Sequence, residues 1–420
     1  MANLPKSAVI VGGSLAGLMH GIYLKRHGVD VVLLEQEPKN IRSGHNAGIG
    51  FGPQLEEFLR TYDLSKIQNC TPAATTHIAY RKRKDFTQLK IERHTSSWGL
   101  MYRILRANFD GLSSDPIPHP PPALEGDGRV EYRAGKKVTN LSYKDGLVTV
   151  GYVGIDGLEG SVTGDFVIGA DGLHSTVRSL VQVPTIKEYS GYVSWRGVVP
   201  ETDVSEESVS YFQQRNALDL LKRNYIVCYI IPPDSGSFEP GKRLLNFIWY
   251  WPYPEGSPAL KEVLTDVNNT VHANTVPAGL VRPEVWSKHL AANLGTVADP
   301  FAEVISKCKD PFVTKVNDAL SDKVSFYDGH LVLVGDALAT VRPHLAAATE
   351  QAAGHCLGLG KVWQGEMTMQ QWEKRTWFQA KRLWLASRVT GVFGVGGWWA
   401  LLKILATYLS FMIKMKRSKL

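Results

Sequence analysis

Residues 169–178, Gly169-Ala-Asp-Gly-Leu-His-Ser-Thr-Val-Arg178, place an acid, glycines and an arginine where a strand ends and a helix begins. Asp165-Phe-Val-Ile-Gly169 reads as a short buried strand, and the glycines at 169 and 172 let the chain turn where a side chain would collide. Asp171 can accept hydrogen bonds from sugar hydroxyls, and Arg178, two helical turns on, can reach a phosphate or carboxylate. Those groups suit a dinucleotide, although the run alone could be an ordinary strand-turn-helix corner.

Two further motifs carry the same chemistry. Gly12-Gly-Ser-Leu-Ala-Gly17 follows a strand and opens a helix, with Ser14 where the middle glycine of a GxGxxG loop would stand. Gly12, Gly13 and Gly17 keep the backbone close, so free N–H groups at the helix start can face a pyrophosphate, and Ser14 adds a hydroxyl donor. Glu35, about 20 residues on at the end of the second strand, is placed for the ribose hydroxyls of an adenosine. Downstream, Val334-Gly-Asp-Ala337 precedes Arg342-Pro-His344 and the small-residue run 345–353. Asp336 would meet ribityl hydroxyls, and the helix beginning around Ala348 would turn its N–H groups to the pyrimidine edge of a flavin. A tightly packed small-residue helix is equally compatible with that last run.

The elements that must position these groups follow from periodicity. Residues 7–11 read as a strand, and Leu15, Leu18, Met19, Ile22 and Tyr23 mark one buried helical face closed by Gly28. The apolar run 30–35 reads as a parallel strand covered on both sides. The proline-rich stretch 115–122 must be an exposed connection. From about 189 to 253, runs such as Tyr225-Ile-Val-Cys-Tyr-Ile-Ile231 and Leu244-Leu-Asn-Phe-Ile-Trp-Tyr-Trp251 predict a mostly antiparallel sheet. Parallel-strand texture returns at 331–335, followed by a small-residue helix and a Trp-rich helix over about 369–388. The expected class is α/β: a Rossmann-like FAD-binding domain with an inserted, mainly antiparallel β-sheet domain and a C-terminal hydrophobic helix.

With 420 residues and 44% hydrophobic content the chain can bury a large core. The net charge of +7 comes from a modest excess of Lys and Arg, and the dense run Arg81-Lys-Arg-Lys84 reads as a solvated hairpin without aromatic interleaving, so no nucleic-acid partner is expected. Cysteines at 70, 228, 308 and 356 are too scattered for a metal knuckle and too few for a secreted scaffold, which fits a reducing compartment and no metal. No cleavable N-terminal signal is expected, because residues 8–11 already belong to the first strand.

The three motifs, in this order and at these separations, resemble the group A flavin monooxygenases, aromatic hydroxylases with one FAD domain and an inserted substrate sheet. The resemblance runs to about residue 388 and is strongest with the 2,6-dihydroxypyridine 3-monooxygenase-like branch, through residues 189–201 and 342–353. It implies FAD-domain segments at 1–72, 100–185 and 321–388, substrate-domain segments at 73–99 and 186–320, and an apolar, basic extension at 389–420. By the same resemblance Glu35 is the ribose ligand and Asp336 the ribityl ligand. Arg42 and the turn through Asn46, Ala47, Gly48 and Ile49 approach the FAD. Arg103 or Arg106 is the arginine of a second FAD-contacting helix, and residues 169–178 form a dual FAD and NAD(P)H motif. Ala346 and Ala348 depart from glycines common in the family, and His355 from an acidic residue.

The reaction implied is reduction of non-covalently bound FAD by NADPH or NADH, addition of oxygen to the reduced ring as a hydroperoxide, and transfer of one oxygen to an electron-rich small aromatic substrate. The protein must then orient substrate, exclude water and favour the phenolate-like form. Arg196 in the Trp-Arg-Gly turn, Tyr229 on the sheet and His344 are the candidates. Arg196 could equally be an ion-pair partner, Tyr229 a core residue and His344 a helix cap. Epoxidation or Baeyer–Villiger-type insertion on a lipophilic metabolite is the alternative outcome. A flavin-fold binding protein without turnover is argued against by Glu35, Asp171 and Asp336.

Residues 389–413 are apolar and long enough to be weighed as a membrane span, interrupted by Lys403. Gly396, Ala400, Lys403, Thr407, Ser410 and Lys414 share one stripe, which with Trp398, Trp399 and the basic tail suits a helix lying on a membrane surface; packing on the enzyme body or a second subunit fits as well. Ser418-Lys-Leu420 is a peroxisomal import address, so a peroxisomal import receptor is an expected partner and the peroxisome the expected location, with the cytoplasm otherwise.

Overall fold

The structure, a computed structural model, describes residues 4–39, 47–80 and 87–417. Arg42, Asn46, the Arg81–Lys84 run and the C-terminal tripeptide at 418–420 lie outside the described residues.

A six-stranded sheet forms the first unit, in the order Ser325–Phe326, Leu331–Leu333, Phe166–Gly169, Ser7–Val11, Asp30–Leu34, Val130–Arg133. Every neighbouring pair is parallel except the first. Helices Leu15–Arg26, Trp98–Asp110 and Ala348–Trp363 pack together beside it, and a three-stranded meander, Lys136–Lys144, Leu147–Gly154 and Glu159–Gly164, joins the same core through Val138, Val148 and Val150. Cover on both faces is why these strands are almost wholly apolar.

The second sheet runs Thr275–Val276, Phe312–Ser321, Thr185–Pro200, Leu244–Pro252, Tyr225–Ile231, Arg215–Leu220, Ala74–Tyr80, Thr87–Ser97, Gly48–Phe51. Its one parallel pair joins Arg215–Leu220 to Ala74–Tyr80. Trp195, Phe247, Trp249, Ile226 and Cys228 point to one face, where helices Glu206–Phe212, Pro258–Val263, Pro283–Asn293 and Asp299–Ser306 cover them. By period-two alternation, Ser194, Arg196, Tyr225, Tyr229, Asn246, Ile248 and Tyr250 share the opposite face.

Several expectations change. Arg196 sits inside the long strand Thr185–Pro200, not in a turn. Gly48 belongs to strand Gly48–Phe51 of the second sheet rather than to a turn. The Trp-rich helix extends to Val395, and residues 396–397 break the apolar extension before a separate helix, Trp398–Arg417. Residues 389–413 are therefore two helical pieces, because Gly396 and Gly397 lack the propensity to carry a helix through.

Candidate active site

All three motifs end at the carboxyl edge of the parallel strands, where open α/β sheets bind ligands. Gly12 has φ +107°, and a Cβ there would stand 2.5 Å from the carbonyl oxygen of Ala170; at Gly17 it would stand 2.0 Å from that of Gly12. The loop is thus pressed onto the end of strand Phe166–Gly169, and the start of helix Leu15–Arg26 is left facing a cleft. Ser14 caps that helix by position and its side chain makes no capping bond. Glu35 is buried and accepts from the backbone N–H of Gly13 (2.7 Å) and Glu37 (2.8 Å). The cleft, about 310 Å³, is lined by Gly12, Ser14, Glu35, Asp171, Lys136 and Lys137. Sequence reading did not single out the two lysines, whose strand shows only alternation; they add cations to the lining of this cleft.

Two side chains of the 169–178 run do other work than expected. The carboxylate of Asp171 accepts from the Ser175 hydroxyl (2.5 Å) and the Val177 N–H (3.0 Å), so it holds the start of helix Thr176–Leu180 while lining the cleft. The Arg178 guanidinium, buried, donates to the carbonyls of Ala337 (2.8 Å) and Leu173 (2.5 Å) instead of reaching a phosphate. It ties the second motif to the third.

At the third motif, Asp336 has no side-chain hydrogen bond among the described residues. Burial pushes its carboxyl up to about 6, with Arg178 opposing the rise. Gly335 donates its N–H to Nδ1 of His355 (3.0 Å), and its carbonyl accepts from Nε2 of Gln351 (3.3 Å). His355, pushed down to about 3 by burial and by His20, is a neutral strut beneath the loop. Ala346 adopts φ +49°, the left-handed conformation that a glycine would take without strain. Beside it, the Thr349 hydroxyl donates to the carbonyl of Gly50 (2.7 Å), which seats strand Gly48–Phe51 against the N-terminus of helix Ala348–Trp363. An unbonded carboxylate, a glycine cradle, two lysines and an open helix start fit sugar hydroxyls, a pyrophosphate and a flat ring.

Arg103 and Arg106 separate. Arg106 is 1% exposed, pairs with Asp110 (2.8 Å), donates to the Tyr102 hydroxyl (2.7 Å) and stacks 3.6 Å over Tyr132, all within its own domain. Arg103 pairs at 3.2 Å with Asp234, which follows strand Tyr225–Ile231, and so stands where the two sheets meet.

On the inward face of the second sheet, Arg196 and Tyr229 lie together, and Asn246 pairs in register with Tyr229. Asn246 accepts from the N–H of Gly48 (3.3 Å), and Tyr229 lies so close to Gly48 that a Cβ there would be 2.4 Å from its hydroxyl. The Nε of Arg196 and the Nδ2 of Asn246 are buried without hydrogen-bond partners among the described residues. Burial pushes the Tyr229 hydroxyl up to about 12 despite Arg196, so it stays a neutral O–H. His344 reaches this face from the third motif. Its Nε2 lies 2.6 Å from the Tyr192 hydroxyl, its Nδ1 hydrogen-bonds the Tyr225 hydroxyl, and Tyr250 packs 4.4 Å from its ring. Burial and Arg342 push it down to about 3. The sequence reading missed the three tyrosines and Asn246, although Tyr192 shares the parity of Arg196, and Tyr225 that of Tyr229.

A 2,6-dihydroxypyridine 3-monooxygenase of Paenarthrobacter nicotinovorans is 30% identical over 377 residues, 87% of this chain and 86% of that protein. The chain belongs to the group A FAD-dependent monooxygenases. A solved structure of 2,6-dihydroxypyridine-3-hydroxylase from Arthrobacter nicotinovorans superposes on this monooxygenase with a TM-score of 0.79 at 27% identity, covering 94% of each chain. HpxO of Klebsiella pneumoniae in complex with FAD and uric acid shares the fold at a TM-score of 0.66 and 18% identity, over 96% of this chain and 92% of that one. An FAD binding domain model matches residues 6–98 and an FAD binding domain-like model residues 189–318. FAD is the cofactor of this monooxygenase.

Proposed function

We propose that this monooxygenase hydroxylates a small phenol or hydroxylated N-heteroaromatic ring, with NADPH or NADH as reductant. The observation that carries this reading is the pair of buried donors without partners, Nε of Arg196 and Nδ2 of Asn246, beside the Tyr229 hydroxyl. Buried donors left open are costly unless a ligand oxygen meets them. An ionised or polarised ring hydroxyl would do so and be held electron-rich.

FAD, when bound, carries two electrons from NAD(P)H to molecular oxygen. One oxygen atom then forms a bond to a ring carbon in place of hydrogen, and the other leaves as water. Gly12, Ser14, Lys136 and Lys137 would hold the pyrophosphate, Glu35 the ribose and Asp336 the ribityl chain. The N-terminus of helix Ala348–Trp363, with Ala47 and Gly48 opposite, would face the ring. Arg196 would orient the substrate oxygen. His344, neutral between the hydroxyls of Tyr192 and Tyr225, donates from one ring nitrogen and accepts at the other, so it positions those phenols and can pass a proton between them. The name of the Paenarthrobacter relative, a monooxygenase of a dihydroxylated pyridine, supports the substrate class.

The test is Arg196→Ala. FAD content should be unchanged, while kcat/KM for ring hydroxylation falls about 100-fold and NAD(P)H oxidation diverts to hydrogen peroxide. Full coupling in this variant would remove Arg196 from the site. The tail Ser418-Lys-Leu420 supports peroxisomal import of the same enzyme. A fusion that keeps this C-terminus free should enter peroxisomes and one lacking the three residues should not; equal distribution of the two would refute it.

A further inference from the structure

The C-terminal helix Trp398–Arg417 folds back along helix Met369–Val395, with the turn at 396–397. Ile404, Tyr408 and Phe411 pack against the body of the enzyme, and Phe411 stacks on Phe378 with ring centroids 5.8 Å apart. The opposite arc is not covered. Trp398 is 78% and Trp399 86% exposed, and Leu402, Leu409 and Ile413 continue the same stripe at helical spacing. A second exposed stripe, Lys403, Thr407, Ser410 and Lys414, runs alongside it. No acidic residue occurs in residues 398–417, and exposed Arg223 lies by the hairpin tip, its Nη2 3.8 Å from where a Cβ on Gly397 would be.

We propose that this helix lies in the headgroup layer of an anionic bilayer and seats the enzyme on it. By length and composition the helix could cross a membrane. A crossing helix, however, would have to give up the packing of Ile404, Tyr408 and Phe411, and would carry Lys403 into the hydrocarbon. Lying flat, it keeps that packing, sinks the stripe from Trp398 to Ile413 beneath the headgroups, and sets Lys403 and Lys414 among lipid phosphates. Charge complementarity selects an anionic bilayer over a second copy of this basic chain, whose net charge is +7.

The seat is joined to the proposed catalytic face. Just before the turn, Gly391 abuts His344 and Tyr192, where a Cβ would come within 2.6 Å and 2.4 Å, and Gly394 abuts Tyr225 at 2.4 Å. A bilayer holding the hairpin therefore holds the helix end that backs the His344 cluster. Docking and this coupling are independent of which ring is hydroxylated.

The test uses full-length FAD-loaded protein in flotation with vesicles of phosphatidylcholine alone and of phosphatidylcholine with phosphatidylserine. The protein should float with the anionic vesicles at least 10-fold better than with the neutral ones, and high salt should release it. Trp398→Ser with Trp399→Ser should lower binding at least 10-fold, and Lys403→Glu with Lys414→Glu several-fold, with bound FAD unchanged in both. Failure to float, or flotation equal in the tryptophan variant, overturns the proposal. So does a lipid-free dimer whose tryptophans are shielded from acrylamide, which would make the stripe a subunit interface. Retention through high-salt and carbonate washes, with the C-terminus protected from protease, would mean a spanning helix and also overturn it.

Discussion

Asp336, proposed to meet the ribityl chain, illustrates how a buried carboxylate burdens the protein that carries it. Its carboxyl has an ordinary value of 3.8 and is pushed to about 6 in the folded chain. The unfolded chain therefore releases this proton first, and FAD-free protein should lose stability as pH rises from about 4 to about 6, by about 3 kcal/mol. Asp336→Asn should remove that loss, so its urea midpoint should exceed that of the parent at pH 7 and match it at pH 4, while FAD binds more weakly. A variant no more stable at pH 7 would show that the carboxylate has a partner. At Ala346 the left-handed φ of +49° predicts that Ala346→Gly stabilises the fold by about 1 kcal/mol, read as a rise in Tm. Residue identity and position singled out Asp336 and Glu35 in the sequence, and the structure sets both at the carboxyl edge of the parallel sheet. It did not reveal that Asp171 and Arg178 bond to their own turn and to Ala337, because such pairings depend on contacts up to 159 residues apart.

Among the elements, strand Leu244–Pro252 shows what alternation can and cannot tell. Leu245, Phe247 and Trp249 enter one core, while Asn246, Ile248 and Tyr250 face the FAD domain. Both sides are buried, so the run reads as a strand without saying which face carries the candidate site. Arg196 read as a turn residue because Gly197 follows it. The glycine is needed mid-strand, since a Cβ there would lie 2.4 Å from the Cys308 sulfur. The meander at 136–164 and the four helices over the outer sheet face lacked strong motifs and went unread. Glycines on the long helix are required by the same logic of close approach. Gly391→Ala would drive a methyl group into Tyr192 and His344 and should cost about 1–3 kcal/mol, measured by chemical unfolding. Unchanged stability would mean that the helix end can withdraw from the cluster.

Across the whole molecule, one buried carboxylate joins the units. Asp318, on the substrate sheet and 0% exposed, accepts from Nε of Arg342 (2.6 Å) in the third motif, and from Nε1 of Trp384 (2.9 Å) on the long helix. Arg388 approaches Oδ2, the oxygen that Arg342 meets, at 3.3 Å and also pairs with Glu188 on the sheet's long strand. Burial pushes the Asp318 carboxyl upward and Arg342 offsets part of the rise. Asp318→Ala would leave buried Arg342 without its charge partner and should lower stability by about 3–5 kcal/mol, seen as loss of the folded FAD-bound form in urea. The assembly of a parallel-sheet domain and an inserted sheet was legible from the order of motifs and textures. The junction was not, because Asp318 carries no local signal and the motif around Arg342 does not name its partner. Above all, the face carrying Arg196, Tyr229 and Asn246 is proposed to hold a ring for oxygen transfer. Purified FAD-bound enzyme should be incubated with NADPH or NADH, a panel of phenols and hydroxypyridines, and isotopically labelled oxygen. Substrate-stimulated NAD(P)H oxidation with one labelled atom in a ring product is the predicted result; oxidation indifferent to every ring, with all electrons recovered as hydrogen peroxide, would contradict it.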